Sequence, residues 1–302
     1  MRVLFQDKNN RISVLQGNPF FSNTIVIQRI GGEELECGLS IGIALHPGDG
    51  DQPPLLVRNA EIAMYRGKSE GQACCVYHRE LGNQAVREFR MGRRLEDAVA
   101  NERFYLAYQP KQALGSERLR GAEALLRWED PEFGTVSPAE FIPLAELRGM
   151  MPAIGRWVVR EGCRQLREWQ EAGTPLPGRL AVNISNQQLE QPRFVDELIT
   201  DVAGEGVDPK HIELEVTESL LMRRPEEAAE KLRSLVALGF SVAIDDFGTG
   251  YSSLSYIRKL PVHEIKIDRS FVMEMDSNRD DATIVRTTIN MCHDLGFEEV
   301  AE

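Results

Sequence analysis

No apolar run in the sequence reaches the roughly 20 residues that a membrane-spanning helix needs. The first residues also lack the charged, apolar and small-residue succession of a secretory signal. These absences predict a cytoplasmic chain with no membrane segment of its own, and they leave open a membrane attachment upstream of Met1 in a longer parent protein.

Cysteine is scarce and none of it is spaced for metal binding. The chain has five cysteines, an odd number without any Cys-x-x-Cys pair: Cys37, Cys74, Cys75, Cys163 and Cys292. A disulfide framework and a structural zinc site are therefore not expected, and reduced thiols are.

Basic runs are absent as well. The 35 Lys and Arg against 47 Asp and Glu give a net charge of -12, and no stretch offers a cationic footprint for a phosphate backbone. We expect no binding to DNA or RNA. A small phosphate ligand bridged by divalent cations stays compatible with this charge.

From Arg103 onward the chain alternates apolar strands with helical patterns, which is typical of a repeating βα fold. The predicted strands lie near residues 104–110, 119–128, 180–184, 212–216, 241–245, 264–267 and 299–301. The main predicted helices cover 154–172, 193–203, 225–238 and 281–295. The pattern predicts an α/β fold, a (β/α) TIM-like barrel that is incomplete at its C-terminal end.

One stretch dominates the chemistry. The apolar run Val242–Ile244 leads into two adjacent carboxylates, Asp245 and Asp246, and then into a loop with glycines. Functional residues of barrels lie where such strands end, and two neighbouring carboxylates repel each other unless a cation lies between them. The alternative for this pair alone is a turn that caps the following helix.

Other strand ends carry polar residues too. They are Glu123, Asn183, Glu215, Asp245, Asp246, Lys266 and Glu302. Each lies in or beside an apolar run, where an unpaired charge costs several kcal/mol. Taken singly, Glu123 or Glu215 is explained as a salt-bridged structural acid, but together the set indicates a shared cation. Oxygen ligands without His or Cys favour Mg²⁺ or Mn²⁺.

Several longer motifs carry a family resemblance. They are Glu123-Ala-Leu-Leu-Arg-Trp128, Phe141–Glu146, Val182-Asn-Ile-Ser185, Glu213–Ser219, Asp245–Leu254 and Lys266-Ile-Asp268. In this order and spacing they resemble the EAL domain, the cyclic di-GMP phosphodiesterase family, over residues 85–302. The resemblance implies metal-dependent hydrolysis of one phosphodiester bond of cyclic di-GMP to linear pGpG, in bacterial second-messenger signalling, by a homodimer.

The resemblance also implies roles for single residues. One of two divalent cations, Mg²⁺ or Mn²⁺, has the ligands Glu123, Asn183, Glu215 and Asp245, and the surroundings of the second are Asp245, Asp246 and Glu302. Lys266 matches a lysine that contacts the attacking water. Gln109 and Arg127 match groups that bind the dinucleotide. Glu218 and Glu146 match supporting acids, and residues 247–254 match a loop between metal site and dimer contact.

The first 79 residues resemble part of another family. Leu39–Ala44 and Asn59–Gly71 are similar to the closing strand-helix-strand portion of a GGDEF domain, the α+β diguanylate cyclase fold. Arg29–Leu35 is interpreted as an ordinary β-turn, and Lys68 as a solvated helix residue. We predict an inactive partial GGDEF-like domain over 1–79, a linker helix over 80–101 and the EAL domain over 102–302.

The EAL family continues after the glutamate that matches Glu302, so the resemblance predicts a chain truncated at both ends. Three functions remain open for it. The first is a phosphodiesterase, the second a non-catalytic cyclic di-GMP binding module, and the third a protein interaction scaffold without a nucleotide.

Overall fold

The computed structural model describes residues 3–6, 12–15, 25–30, 33–38, 40–248 and 257–301. The chain divides into two compact units, Met1–Met91 and Gly92–Glu302. The division falls inside helix α2 (Arg79–Ala100), within the segment predicted as a linker helix. The domain limits 1–79 and 102–302 stay predictions. No helix in the described ranges has the length and apolar character to cross a bilayer.

The first unit begins with two antiparallel strand pairs. Strands β1 (Val3–Gln6) and β2 (Ile12–Leu15) form one pair, and β3 (Ile25–Ile30) and β4 (Glu33–Gly38) form the other. Residues 31 and 32, the centre of the predicted β-turn, lie outside the described residues.

A strand-helix-strand unit follows, as the sequence predicts. Strand β5 (Ile41–Ile43) pairs in parallel with β6 (Cys74–Val76), and helix α1 (Pro53–Ser69) connects them. A Cβ atom on Gly42 would lie 1.8 Å from the Ala60 carbonyl oxygen, so only glycine allows this approach of strand and helix. Lys68 is exposed. The likeness of this unit to a GGDEF domain stays a prediction.

The second unit is built on one curled sheet. Its strands are β7 (Phe104–Gln112), β8 (Leu119–Asp130), β9 (Gly134–Val136), β10 (Arg179–Asn183), β11 (Ile212–Thr217), β12 (Ser241–Phe247), β13 (Glu264–Ile267) and β14 (Glu298–Ala301). Their spatial order is β14-β13-β12-β11-β10-β8-β7, with β9 added to β8. The strands predicted from the sequence are confirmed. Strands β8 and β10 to β14 are parallel, whereas β7 runs antiparallel to β8.

Helices cover the outside of this sheet. They are α3 (Pro138–Leu147), α4 (Met151–Glu171), α5 (Asn186–Glu190), α6 (Phe194–Gly204), α7 (Glu218–Arg223), α8 (Pro225–Ala237), α9 (Arg269–Glu274) and α10 (Arg279–Leu295). A 3₁₀ turn, Pro209–His211, precedes β11.

One contact between distant strands shows that the sheet is curled. Strands β7 and β13 are five positions apart in the sheet order, a distance of about 24 Å in a flat sheet with strands about 4.8 Å apart. Lys111 Nζ on β7 nevertheless lies 2.7 Å from Glu264 Oε1 on β13. The sheet therefore closes into a half-barrel with an interior, which confirms the predicted α/β fold with an incomplete TIM-like barrel.

The two faces of the strands differ in chemistry. On β11, Ile212, Leu214 and Val216 are buried, and the intervening Glu213 and Glu215 are buried as well. Because side chains alternate along a strand, the apolar set packs toward the helices and the acidic pair faces the barrel interior. The apolar core thus lies between sheet and helices, and the interior of the half-barrel carries charge.

Candidate active site

A buried lysine lies at the centre of the carboxyl-terminal end of the barrel. Lys266 on β13 is only 1% exposed. Its Nζ lies 3.0 Å from Glu123 Oε2, 2.9 Å from Glu215 Oε2 and 3.1 Å from Asp245 Oδ1. We call these four residues and Asn183 the outer cluster. The structure thus brings together five of the residues that the sequence singles out.

The sheet register explains this convergence. Ala181 pairs with Glu123, Asn183 with Glu215, and Thr217 with Asp245. Each polar side chain therefore lies near the end of its own strand, where parallel strands present their functional groups at one rim. Asn183 is exposed, and its Nδ2 donates a 2.7 Å hydrogen bond to Glu123 Oε1. The rim thus reaches solvent at Asn183.

A second charged cluster lies one layer deeper in the barrel. Lys111 Nζ lies 2.8 Å from Glu213 Oε1, 3.1 Å from Glu215 Oε1 and 2.7 Å from Glu264 Oε1. Ser241 Oγ donates to Glu213 Oε2 at 3.1 Å. We call Lys111, Glu213, Glu264 and Ser241 the inner cluster. Glu215 belongs to both clusters.

The inner cluster is a finding that the sequence analysis missed. Glu213 and Glu264 lie within predicted strands and Lys111 directly follows one, but no role was assigned to them. The available signal was their spacing, since each lies two residues from a predicted site residue, which places it on the same face of its strand.

Negative charge exceeds positive charge in the interior. Among the described residues of the two clusters, five carboxylates surround two ammonium groups. Burial, with repulsion from Glu123 and Asp245, outweighs both lysines and raises the pKa of Glu215 to about 8. Burial and Glu213 likewise raise the pKa of Glu264. The interior therefore favours a proton or another cation on its acids.

Glu123 differs from its neighbours. Burial favours its neutral form, but the adjacent Lys266 ammonium and the Asn183 amide outweigh burial and lower the pKa of Glu123. Glu123 is thus a charged carboxylate that can bind a cation without first losing a proton.

The end of β12 has an unusual backbone. Asp246 has φ 54°, a left-handed conformation that few residues other than glycine adopt. Its N–H donates to Asp245 Oδ1 at 3.0 Å. The Ser270 hydroxyl chiefly, together with the nearby Asp246, lowers the pKa of Asp268. The tip of β12 therefore faces a further acid, Asp268, which the sequence analysis quoted without a role.

Glu218 bonds to the backbone at the residue that follows β12. It begins α7 and is 3% exposed. Its Oε2 accepts a 3.1 Å hydrogen bond from the Gly248 N–H. The carboxylate therefore connects α7 to the residue that follows β12. Residues 249–256 of the predicted loop lie outside the described residues.

The two predicted substrate-binding residues lie on the β7–β8 hairpin. Gln109 pairs with Glu123 in the sheet register and is exposed. Arg127 is half-buried, and its Nη1 donates to the Leu126 carbonyl at 2.9 Å. It follows Glu123 by four residues on the same face of β8, which is roughly 13 Å along the strand. Gln109 thus borders the outer cluster, and Arg127 lies beyond it on the same face of β8.

Two other predicted residues are not part of the described cluster. Glu302 lies outside the described residues. Glu146 is exposed at the end of α3, and its carbonyl accepts a hydrogen bond from Gln187. The assigned roles of both stay predictions.

The donor set of the outer cluster fits Mg²⁺ or Mn²⁺. Its ligands are carboxylate oxygens and one carboxamide, which hard divalent cations prefer, and the interior has excess negative charge. Oxygens of Glu213, Glu215 and Glu264 also lie within 4.8 Å of one another. Lys111 Nζ already lies within 3.1 Å of an oxygen of each. The Lys111 ammonium group therefore occupies the place that a metal ion would take among these three carboxylates.

Comparison with known proteins agrees with this geometry. The family model described as EAL domain matches residues 92–302. The chain belongs to the EAL domain family. The match covers every described residue of both clusters, and it begins within helix α2.

Curated relatives match across both units of this EAL-domain chain. The bifunctional diguanylate cyclase/cyclic di-GMP phosphodiesterase MucR of Pseudomonas aeruginosa is 39% identical over 275 residues, which are 91% of this chain and 40% of that protein. The cyclic di-GMP phosphodiesterase PdeR of Escherichia coli is 34% identical over 91% of this chain and 41% of its own length. This chain thus spans about two fifths of the length of these relatives.

Solved structures show the same fold. The phosphodiesterase PaMucR in complex with c-di-GMP has a TM-score of 0.66 and 41% identity, over 68% of this chain and 83% of that one. The EAL enzyme Bd1971, in its cAMP and cyclic-di-GMP bound form, has a TM-score of 0.67 and 29% identity, over 83% and 66% of the two chains.

Proposed function

We propose that this EAL domain hydrolyses one phosphodiester bond of cyclic di-GMP, giving linear pGpG, with two divalent cations, Mg²⁺ or Mn²⁺. The observation that carries the proposal is the outer cluster, in which Glu123, Glu215 and Asp245 converge on Lys266 at an accessible strand rim. Relatives named as cyclic di-GMP phosphodiesterases support the substrate and reaction.

In this proposal the acids of the rim hold the cations. Glu123, Asn183, Glu215 and Asp245 bind one, and Asp245, Asp246 and Glu302 surround the other. When bound, two such ions lower the pKa of water and neutralise charge on the non-bridging phosphate oxygens.

The remaining residues bind and orient the dinucleotide and place positive charge near its phosphate. Lys266 keeps three carboxylates converged and adds positive charge near the nucleophile or phosphate, where a fixed charge stabilises the transition state. Arg127 binds phosphate oxygens through its planar fork, and Gln109 hydrogen-bonds the dinucleotide. Glu218 accepts a hydrogen bond from the Gly248 N–H and so holds the end of β12. A water oxygen attacks phosphorus and forms a new P–O bond, the P–O bond to one ribose oxygen breaks, and that leaving oxygen takes a proton, which opens the cyclic dinucleotide.

Homodimerisation and the lack of DNA or RNA binding stay predictions. So do the activities that a longer protein would add, since the chain spans only part of its relatives.

The test is the release of pGpG from cyclic di-GMP by the 302-residue chain with Mg²⁺ or Mn²⁺. We expect product that a chelator abolishes, and none from Glu123→Ala. The matched control is Glu96→Gln, which removes an exposed ion pair with Arg148. Unchanged turnover by Glu123→Ala would overturn the proposal. Binding of cyclic di-GMP by folded protein without turnover would instead favour a regulatory binding module.

A further inference from the structure

The inner cluster has the acids of a metal site with a lysine in the middle. Lys111 offers three ammonium hydrogens, and three carboxylate oxygens lie 2.7, 2.8 and 3.1 Å from its Nζ, on Glu264, Glu213 and Glu215. The Lys111 side chain is 13% exposed. Its three donors thus have three acceptors, which fixes an otherwise flexible side chain.

Glu215 is held from two sides. Its Oε1 lies 3.1 Å from Lys111 Nζ and its Oε2 lies 2.9 Å from Lys266 Nζ. The residue is 1% exposed, so no solvent exchange competes with these contacts. Rotating the carboxylate about its terminal bond would break both, and the two lysines therefore fix the plane of the carboxylate.

The support of Lys111 extends further into the barrel. Ser241 Oγ on β12 donates a hydrogen bond to Glu213 Oε2, and Lys111 Nζ donates one to Glu213 Oε1. Both oxygens of Glu213 thus accept a hydrogen bond. Four strands, β7, β11, β12 and β13, each contribute one side chain to this layer. The layer therefore connects four strands directly beneath the outer cluster.

We propose that Lys111 is a positioning residue, which holds the Glu215 carboxylate in the orientation that binds the divalent cation. Lys111 acts from beneath the rim and contacts Glu215 instead of the substrate. The inference rests on the proposed function, since it takes Glu215 as a metal ligand. Residues that orient a metal ligand typically contribute about 10- to 100-fold to metal affinity or activity.

The decisive variant removes the lysine without changing the charge of the layer. Lys111→Met alone leaves an extra negative charge in the interior and is at risk of unfolding. The double variant Lys111→Met/Glu264→Gln removes one positive and one negative charge together. Lys231→Met is the matched control, because it also removes a half-buried lysine, whose Nζ donates to the Leu189 and Gln191 carbonyls outside both clusters.

The measurement is the affinity of the full chain for Mn²⁺ alone, by electron paramagnetic resonance titration, with unfolding temperature recorded in chelator. We expect the double variant to fold and to bind Mn²⁺ about 10- to 100-fold more weakly. Its cyclic di-GMP turnover should recover as Mn²⁺ is raised, which a purely structural defect would not allow. Lys231→Met should keep Mn²⁺ affinity within about twofold of wild type.

The outcomes separate the inference from the function. A folded double variant with wild-type Mn²⁺ affinity overturns the positioning role and leaves the function intact. Equal weakening by Lys231→Met also overturns it. Wild type that binds Mn²⁺ without producing pGpG overturns the function alone, and weaker binding by the double variant then still supports the positioning role. A wild-type chain without Mn²⁺ affinity overturns both.

Discussion

The outer and inner clusters use the same chemical groups in two different settings. Each places one lysine among three carboxylates at 2.7–3.1 Å, and Glu215 is common to both. The outer cluster reaches solvent at exposed Asn183 and Gln109, at the rim where the strands end, whereas the inner one lies about two residues earlier on the same strands. Position along the strands, more than composition, thus distinguishes the rim from the layer beneath it.

The largest effect should come from removing the outer lysine. Lys266→Met leaves Glu123, Glu215 and Asp245 without their ammonium group, and breaking a buried ion pair costs about 3–5 kcal/mol of unfolding free energy. A saturating divalent cation should restore about 2–3 kcal/mol of it, because the ion binds the folded state only. Denaturant unfolding in chelator measures the loss of unfolding free energy, and the same experiment with Mn²⁺ measures how much of it the cation restores.

Lys111→Met is the natural counterpart in that experiment. If the inner cluster is closed to ions, Mn²⁺ should restore less stability to Lys111→Met than to Lys266→Met. Equal restoration would break the distinction between the two clusters.

A smaller effect is expected for an ion pair outside both clusters. Asp130 is 4% exposed, and its carboxylate accepts from Arg94 at 2.9 Å and from the Glu132 N–H at 2.9 Å. Asp130→Asn should reduce the unfolding free energy by about 1.5–3 kcal/mol. Turnover per folded molecule should stay at the wild-type value, because this pair touches neither cluster. A loss of activity in folded protein would contradict that separation.

The same variant has a defined pH dependence. Burial opposes the charged form, but the Glu132 N–H, Arg94 and the Phe133 N–H outweigh it and lower the pKa of Asp130. The stabilisation is therefore complete above the usual aspartate pKa of about 4 and is lost as pH falls through the lower folded-state value. The stability difference between wild type and Asp130→Asn should be full at pH 7 and should shrink progressively as pH falls below about 4. A constant difference down to pH 2 would contradict this assignment.

The smallest effect is expected at the substrate border of the outer cluster. Gln109→Ala removes one neutral hydrogen bond, which is worth about 0.5–1.5 kcal/mol, so KM for cyclic di-GMP should rise about 2- to 12-fold. Mn²⁺ affinity should not change, since Gln109 borders the cluster from β7. A fall in Mn²⁺ affinity would instead place Gln109 among the groups that support the metal.

The strands and the outer cluster could be predicted because their signals are local or shared with a family. An apolar run such as Val242–Ile244 marks a buried strand by itself, and Asp245 directly follows it. Strand direction has no such signal: the alternation in Phe104–Gln112 fits either direction, and β7 runs antiparallel to β8. The short strand β9 was also missed, since three residues are too few for a periodic pattern.

Lys111 shows why the inner cluster escaped prediction. A lysine at the end of an alternating strand suggests a solvated edge, and its true partners are 102, 104 and 153 residues away in sequence. Only the curl of the sheet brings them together. Family resemblance identified the residues at the rim, whereas the layer beneath depends on the three-dimensional closure of the barrel.

The left-handed backbone at Asp246 places two demands on one residue. Its φ of 54° costs aspartate more conformational free energy than glycine, while the proposed cation favours a carboxylate. Replacing Asp246 by glycine should relieve conformational strain and like-charge repulsion, and so give a more thermostable protein that turns over less substrate. Selection for stability alone would therefore be expected to replace Asp246 by glycine. Such a trade-off between stability and activity is common where strained residues carry function.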